Sequence, residues 1–326
     1  MKELHLACAL NALKYPFMSQ DMKKRSKLTN IKLLGGSMTE NIHIGFNLNH
    51  AWLNGRDFMT VVTPLMDAGL TALEYVVDFR LPEYGDYIQS LCQQTRDAGL
   101  GISFHAPYLD PPFAYGFSGQ DRAELEENWK PVLEFINNFA GSNGVRTEMV
   151  LHGVHGPTDD MAALYDDTVA QASWILSYCP DIYLGLENLP VPRDPQAWRK
   201  FGEDRASVLK AVREINHPRC GITWDMGHCV RNRAFDNPSK EWAQAVIHVH
   251  AHDVDEHRQD HWPFILGSTP YKRWISYLLQ QGFTGTITAE LTGKLYTDWP
   301  QDKIDGDLLH TIKEIKAVLD AQMRLF

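Results

Sequence analysis

Long apolar runs are missing from this sequence. Across its 326 residues none reaches the roughly 18 consecutive apolar positions that a membrane-crossing helix needs, so a membrane span is not expected. Cysteine is scarce as well. The five that occur (Cys8, Cys92, Cys179, Cys220 and Cys229) are scattered and form no C-x-x-C pair. That pattern argues against a disulfide framework and for a reducing cytoplasm. The nearest approach to a secretory leader, LHLACALNAL, is interrupted by His5 and Asn11, and no clean cleavage site follows it. Positive charge is in short supply: 31 Lys and Arg stand against 41 Asp and Glu, for a net charge of −10. A protein that grips a nucleic-acid backbone by charge is not built this way. No G-x-G-x-x-G opens a helix after the first strand, which counts against a doubly wound dinucleotide-binding sheet. Apolar material, by contrast, is ample. Hydrophobic residues make up 44% of the chain and there are nine tryptophans, enough for a sizeable core.

From Asn41 onward short apolar runs alternate with longer amphipathic ones. The short runs are IHIGFNL (42–48), ALEYVVDF (72–79), GISFHAP (101–107), MVLHGVHG (149–156), IYLGLENLP (182–190), GITWDMGH (221–228), VIHVHAHD (246–253) and TITAEL (286–291). Each is bounded by Gly, Pro, Asn or Asp and reads as a strand. Between them RDFMTVVTPLMDAG, DRAELEENWKPVLEFINNFAG, DDMAALYDDTVAQASWILSYC, EDRASVLKAVREI and YKRWISYLLQQG carry helical spacing, with a kink or break expected at Pro131. Strands alternating with helices in this number predict a (β/α)8 TIM barrel, an α/β fold, as a single domain over residues 41–326. Residues 1–40 read as an N-terminal extension, non-native or poorly ordered. DMKKRSKLTNIKLLGGS shows neither strand nor helix pattern, and Met38 is the expected native start.

In such a barrel the active site lies at the C-terminal ends of the strands. The titratable residues fall there in series. Strand 3 ends with His105, strand 4 with His152 (His155 just beyond), strand 5 with Glu187, and strand 6 with Asp225 and His228. Strand 7 carries His248, His250 and His252, the loop after it Asp255, His257, Asp260 and His261, and strand 8 ends with Glu290. Any one of these has an ordinary structural explanation; Asp225, for instance, suits a helix cap. Their joint placement on one rim does not, because so many ionisable groups in one mouth need a cation to offset them. Imidazole mixed with carboxylate suits zinc, manganese or iron better than magnesium. Period two puts His248, His250 and His252 on one face of strand 7, and His250 lies nearest the point where the ring should close.

These residues resemble the xylose isomerase-like TIM-barrel superfamily, which includes endonuclease IV and many sugar-phosphate isomerases and epimerases. The resemblance rests on FHAPYL after strand 3, VLHG at strand 4, GLENLP at strand 5, WDMGH at strand 6, HVHAHD at strand 7 and the glutamate of TAEL at strand 8. It implies a single-metal core of Glu187, Asp225, His250 and Glu290, in which Glu187 and Glu290 also move the proton. The endonuclease pattern, with three zinc ions, adds His105, His152, His228 and an Asp-x-His that falls on His261 with either Asp260 or Asp255. The usual glycine-rich turn is reduced here to LGS at 266–268.

Two activities follow as expectations. The first is a divalent-metal-dependent sugar or sugar-phosphate isomerase or epimerase, with Glu187 and Glu290 as the proton-transferring pair. Tyr108, Trp224 and Trp262 would contact the sugar, and Glu74 would bond a hydroxyl. The alternative is a multinuclear zinc phosphodiesterase, for which a small phosphate ester is a better substrate than a duplex. A non-enzymatic metal-binding barrel is the third reading. One to three divalent ions, zinc or manganese before magnesium or cobalt, are the expected cofactor. The partner is a small carbohydrate or phosphate ester rather than nucleic acid or membrane, in a monomer or homo-oligomer.

Overall fold

Alternating apolar runs become parallel strands when helices return the chain to the same end each time. In the computed structural model, which describes residues 42–324 apart from 78–81, 109–116, 118–121, 158–159, 195–197 and 297, they do so eight times. The strands are β1 (His43–Asn47), β2 (Ala72–Val76), β3 (Gly101–His105), β4 (Glu148–Leu151), β5 (Tyr183–Glu187), β6 (Cys220–Asp225), β7 (Val246–Ala251) and β8 (Thr286–Ala289). Each pairs with its sequence neighbours and β8 pairs with β1, which closes the barrel. The expected TIM barrel is therefore the observed fold. The expected N-terminal extension lies outside the described residues.

Helices pack their apolar stripes on the outside of the sheet. Tyr271–Gln280 buries Tyr271, Trp274, Ile275, Leu278 and Leu279, and Trp274 meets Trp224 of β6 with ring centroids 5.2 Å apart. Helix Arg122–Phe139 runs through Pro131 without the expected break. Pro131 is on the solvent face, where water can satisfy the carbonyl left without a partner, while Trp129, Val132, Leu133 and Ile136 anchor the inner face. Helices Pro82–Asp97, Lys240–Ala245 and Gln301–Met323, not singled out by sequence pattern, complete the outer ring. Among the described residues no helix is long and apolar enough to cross a membrane.

Two departures from a plain barrel bear on the site. First, the run expected to continue through 156 splits after Leu151. His155–Gly156 leaves the barrel and pairs antiparallel with Arg199–Lys200, a small ribbon over the strand ends. It is stitched down by Phe201 N–H to Val154 O (2.9 Å) and Leu189 N–H to Gly202 O (2.8 Å). Only glycine suits position 202: φ is +106°, and a Cβ would lie 2.7 Å from Glu187 O.

Second, the barrel interior is not filled by branched apolar side chains alone. A column of paired ionisable groups runs through it: Arg146 to Glu148 (2.6 Å), Glu148 to His248 Nδ1 (2.9 Å), His248 Nε2 to Glu74 (2.8 Å) and Glu74 to His250 Nε2 (3.0 Å). Glu74, Glu148, His248 and His250 are fully buried. Burial works against the charge on His248, but Glu74 and Glu148, one on each ring nitrogen, outweigh it and raise the imidazole pKa.

Candidate metal centre

Parallel register aligns the strand ends. Asp225 pairs with His250 and His250 with Thr288, so side chains at the last inward position of β5 to β7 and just past β8 converge. His250 Nδ1 lies 3.0 Å from Glu290 Oε2, 3.6 Å from Glu187 Oε1 and 3.9 Å from Asp225 Oδ2. Ligand atoms of these four residues all fall within 4.8 Å of one another. Glu74 takes the Nε2–H of His250, which leaves Nδ1 as the nitrogen facing the three carboxylates.

Two further groups share carboxylates with this quartet. His105 and His152 converge on Glu187, at 3.5 and 3.0 Å from its Oε2. Nδ1 of His105 lies 2.7 Å from Ala106 O, an acceptor only, so Nδ1 carries a proton and Nε2 is the nitrogen that faces Glu187. On the other side Asp225 is joined by His228, His252 and His261. Asp225 also caps helix Met226–Arg231 by accepting from His228 N–H (2.6 Å), the structural role its position suggested. Asn188 of GLENLP locks β5 to β6: its Nδ2 donates to Asp225 O (2.8 Å) and its Oδ1 accepts from Asp225 N (2.9 Å).

The electrostatics suit a cation. Among the described residues no lysine or arginine lies within ion-pair distance of Glu187, Asp225 or Glu290; their only ionisable partners are imidazoles. Burial works to raise the pKa of Glu187, but His152, His105 and His228 outweigh it and hold the carboxyl well below the usual range. Glu290 is held down in the same way by His250 and His261 against its burial. Even so, both carboxylate oxygens of Glu187, Oε2 of Glu290 and Nδ1 of His250 are buried with no well-formed hydrogen bond. Orphaned atoms of this kind, all potential ligands and all converging, fit a divalent ion.

Of the two aspartates left open in the loop after β7, Asp260 lies beside the site, but it pairs with Arg231 and accepts from His261 Nδ1 (3.0 Å) and belongs to none of the four groups that could hold an ion. Asp255 instead accepts the His257 and Gln259 amides within its own turn, and His257 is exposed. His261 holds a left-handed backbone (φ +66°), costly for a residue with a Cβ, and its Nε2 lies 3.3 Å from Glu290.

The expected sugar contacts divide. Tyr108 lines a cavity of about 310 Å³ over the centre, together with His152, Trp198, Lys200, His228 and Arg231. The other three are displaced from it. Trp224 is fully buried, its indole N–H on Cys229 Sγ (3.3 Å), because its side chain points outward from β6 to the helices. Trp262 packs on Tyr296 and Trp299. Glu74 is enclosed below the quartet, its oxygens taken by His248 and His250. Sequence reasoning did not assign a role to Lys200 or to His252. Lys200 sits in a segment with no strand pattern, whereas His252 was visible as the third inward residue of β7.

The closed parallel barrel gathers on its C-terminal rim imidazoles and carboxylates that could hold a divalent ion. The family model described as xylose isomerase-like TIM barrel matches residues 63–314. The chain belongs to that family. An uncharacterized protein of Methanocaldococcus jannaschii, MJ1311, is 30% identical over 138 residues, 40% of this chain and 44% of that protein. The chain thus aligns with under half of the length of that relative. Among solved structures, a D-tagatose 3-epimerase-like protein is similar at 19% identity and a TM-score of 0.57, over 84% of this chain and 98% of that one. L-ribulose 3-epimerase follows at 16% and 0.58, over 87% and 95%. The IOLI protein with a binding zinc atom gives 16% and 0.60, over 87% and 99%. At these identities the likeness is one of fold.

Proposed function

We propose that the protein is a divalent-metal-dependent sugar isomerase or epimerase in which Glu187 and Glu290 transfer the proton. The observation that carries this reading is the pair of ionised glutamates, one on each side of His250 Nδ1, both with unsatisfied oxygens beneath an open cavity. Glu187, Asp225, His250 and Glu290 would hold the ion, which when bound supplies a Lewis acid that polarises a carbonyl and acidifies the neighbouring C–H. Around it, the chain's own residues do the rest. Glu290 and Glu187 stay deprotonated because imidazoles surround them, as bases must before they accept a proton. His261 lies beside Glu290, and His105 and His152 beside Glu187, at ion-pair distances that offer sites for a proton in transit. Glu74 fixes the tautomer and tilt of His250 from below. Sugar epimerases and a zinc-containing protein among the similar structures support the same reaction class. The cytoplasm is the compartment this reading assigns.

A second reading has its own observation. Glu187 and Asp225 each belong to two ligand groups, so three groups are chained as they would be in a multinuclear phosphoesterase. Metal content separates the two. Plasma mass spectrometry of untagged, chelator-free protein should find one divalent ion per chain, lost in Glu290→Gln along with about 10²–10⁴-fold of the turnover. Three ions per chain would favour the hydrolase. No ion after reconstitution would reject both.

A further inference from the structure

The cavity over the centre is lined by two cations and one carboxylate, Asp260, as well as by its histidines. Lys200 comes from the ribbon and Arg231 from the last turn of the helix capped by Asp225. Glu203, the carboxylate nearest Lys200 in sequence, is spent elsewhere: it pairs with Arg199 (2.9 Å) and accepts the backbone N–H of Lys200 (2.9 Å). The half-buried Lys200 ammonium has no ion-pair partner among the described residues; burial and the Arg231 charge lower its pKa against the more distant pull of Glu187, Asp260 and Glu203. Arg231 gives one arm to Asp260, while its Nε is buried without a hydrogen-bond partner. Two like charges, each with donors unused, thus face one partly buried space. The backbone bonds of Phe201 to Val154 and of Gly202 to Leu189 hold the chain at Lys200 beside the cavity.

We propose that the substrate carries an anionic group, a phosphate ester or a carboxylate, and that Lys200 and Arg231 seat it while the reacting end lies on the quartet. The location of the reacting end rests on the proposed function. A neutral sugar hydroxyl would leave Lys200 without an ion-pair partner and the second arm of Arg231 without a counter-charge, whereas an anion bridging them satisfies the free donors by charge-assisted hydrogen bonds. Charge also sets the orientation. Three carboxylates around one divalent ion leave the centre net negative, so an anionic tail is driven to the cationic part of the cavity and the carbonyl end is left for the metal.

The test is calorimetric titration of full-length, metal-loaded protein with inorganic phosphate and, separately, acetate, in wild type, Lys200→Gln and Lys200→Arg. Wild type should bind at least one of the anions. Lys200→Gln should weaken that binding tenfold or more, and Lys200→Arg should retain it, with metal content and melting temperature unchanged in both variants. Tighter binding of phosphate identifies a phosphate ester, and tighter binding of acetate a carboxylate. Equal affinity in wild type and Lys200→Gln would assign the anion to the metal and overturn the proposal, as would no binding of either anion to wild type at about 10 mM, some 2.7 kcal/mol of affinity. Protein that takes up no metal is titrated as purified. Dependence on Lys200 can then survive the loss of the catalytic reading, which separates the two failures.

Discussion

His105 and His152 face each other with ring centroids 4.8 Å apart, on the same carboxylate, yet they titrate in opposite directions. Burial opposes charge on both. For His105 the nearby Glu187 carboxylate, with Glu290 behind, outweighs it and raises the pKa. For His152 burial wins and the pKa falls to about 4. Neighbouring imidazoles cannot both hold a proton cheaply, so one is left neutral with a lone pair to offer. The consequence for stability has a definite sign. Between 4 and the ordinary value of 6.5, the unfolded chain binds a proton at this position that the folded one refuses. His152 therefore contributes stability that is complete above pH 6.5 and is lost as pH falls through about 4. Melting temperatures of metal-free protein should drop across that window, and His152→Asn should flatten the drop; an unchanged slope would mean that His152 is not the group responsible.

At the scale of elements, the excursion after β7 decides where Asp260 and His261 stand. It is pinned at its base by Asp253 and Trp262, whose backbones exchange hydrogen bonds of 2.7 and 3.1 Å. The buried Asp253 carboxylate accepts from the amides of Leu266 and Gly267 (2.8 Å each) and Thr269 (3.0 Å), and from Ser268 Oγ (3.3 Å). Here the short LGS turn is explained: its amides wrap a carboxylate of the strand end. Asp253→Ala strands three amide donors, so a loss of about 2–4 kcal/mol in urea unfolding is expected, with metal affinity falling as His261 loosens. Asp255→Ala, in the same loop but bonded only within its own turn, is the control and should leave metal affinity unchanged. Equal losses in the two variants would mean that Asp253 does not position the site.

For the whole molecule, the ion-paired column through the barrel links fold stability to the centre. Removing one member of a buried pair leaves its partner charged and unpaired, which costs about 3–5 kcal/mol. Glu148→Leu should therefore destabilise metal-free protein by that order, although the site lies beyond His248 and Glu74. An exposed pair such as Lys316–Asp320 contributes about 1 kcal/mol at most, so Asp320→Ala should barely move the urea midpoint. If Glu148→Leu behaved like Asp320→Ala, the column would be dispensable to the fold.

Alternation of apolar runs and helical stretches determined the barrel, because period and order are properties of the chain itself. The same order determined which residues reach the rim: Glu187, Asp225, His250 and Glu290 each sit at a strand end, and strand ends are countable in sequence. Other assignments needed the folded chain. Whether Asp255 or Asp260 turns inward depends on a left-handed His261 and on the bridge from Asp253 to Trp262, neither of which spacing reveals. The inward direction of Glu74 and the outward one of Trp224 follow from strand register. Lys200 faces the cavity only because a two-residue ribbon pairs segments distant in sequence, His155 with Lys200. Contacts between residues distant in sequence arise from closure of the barrel, and only the tertiary structure decides them.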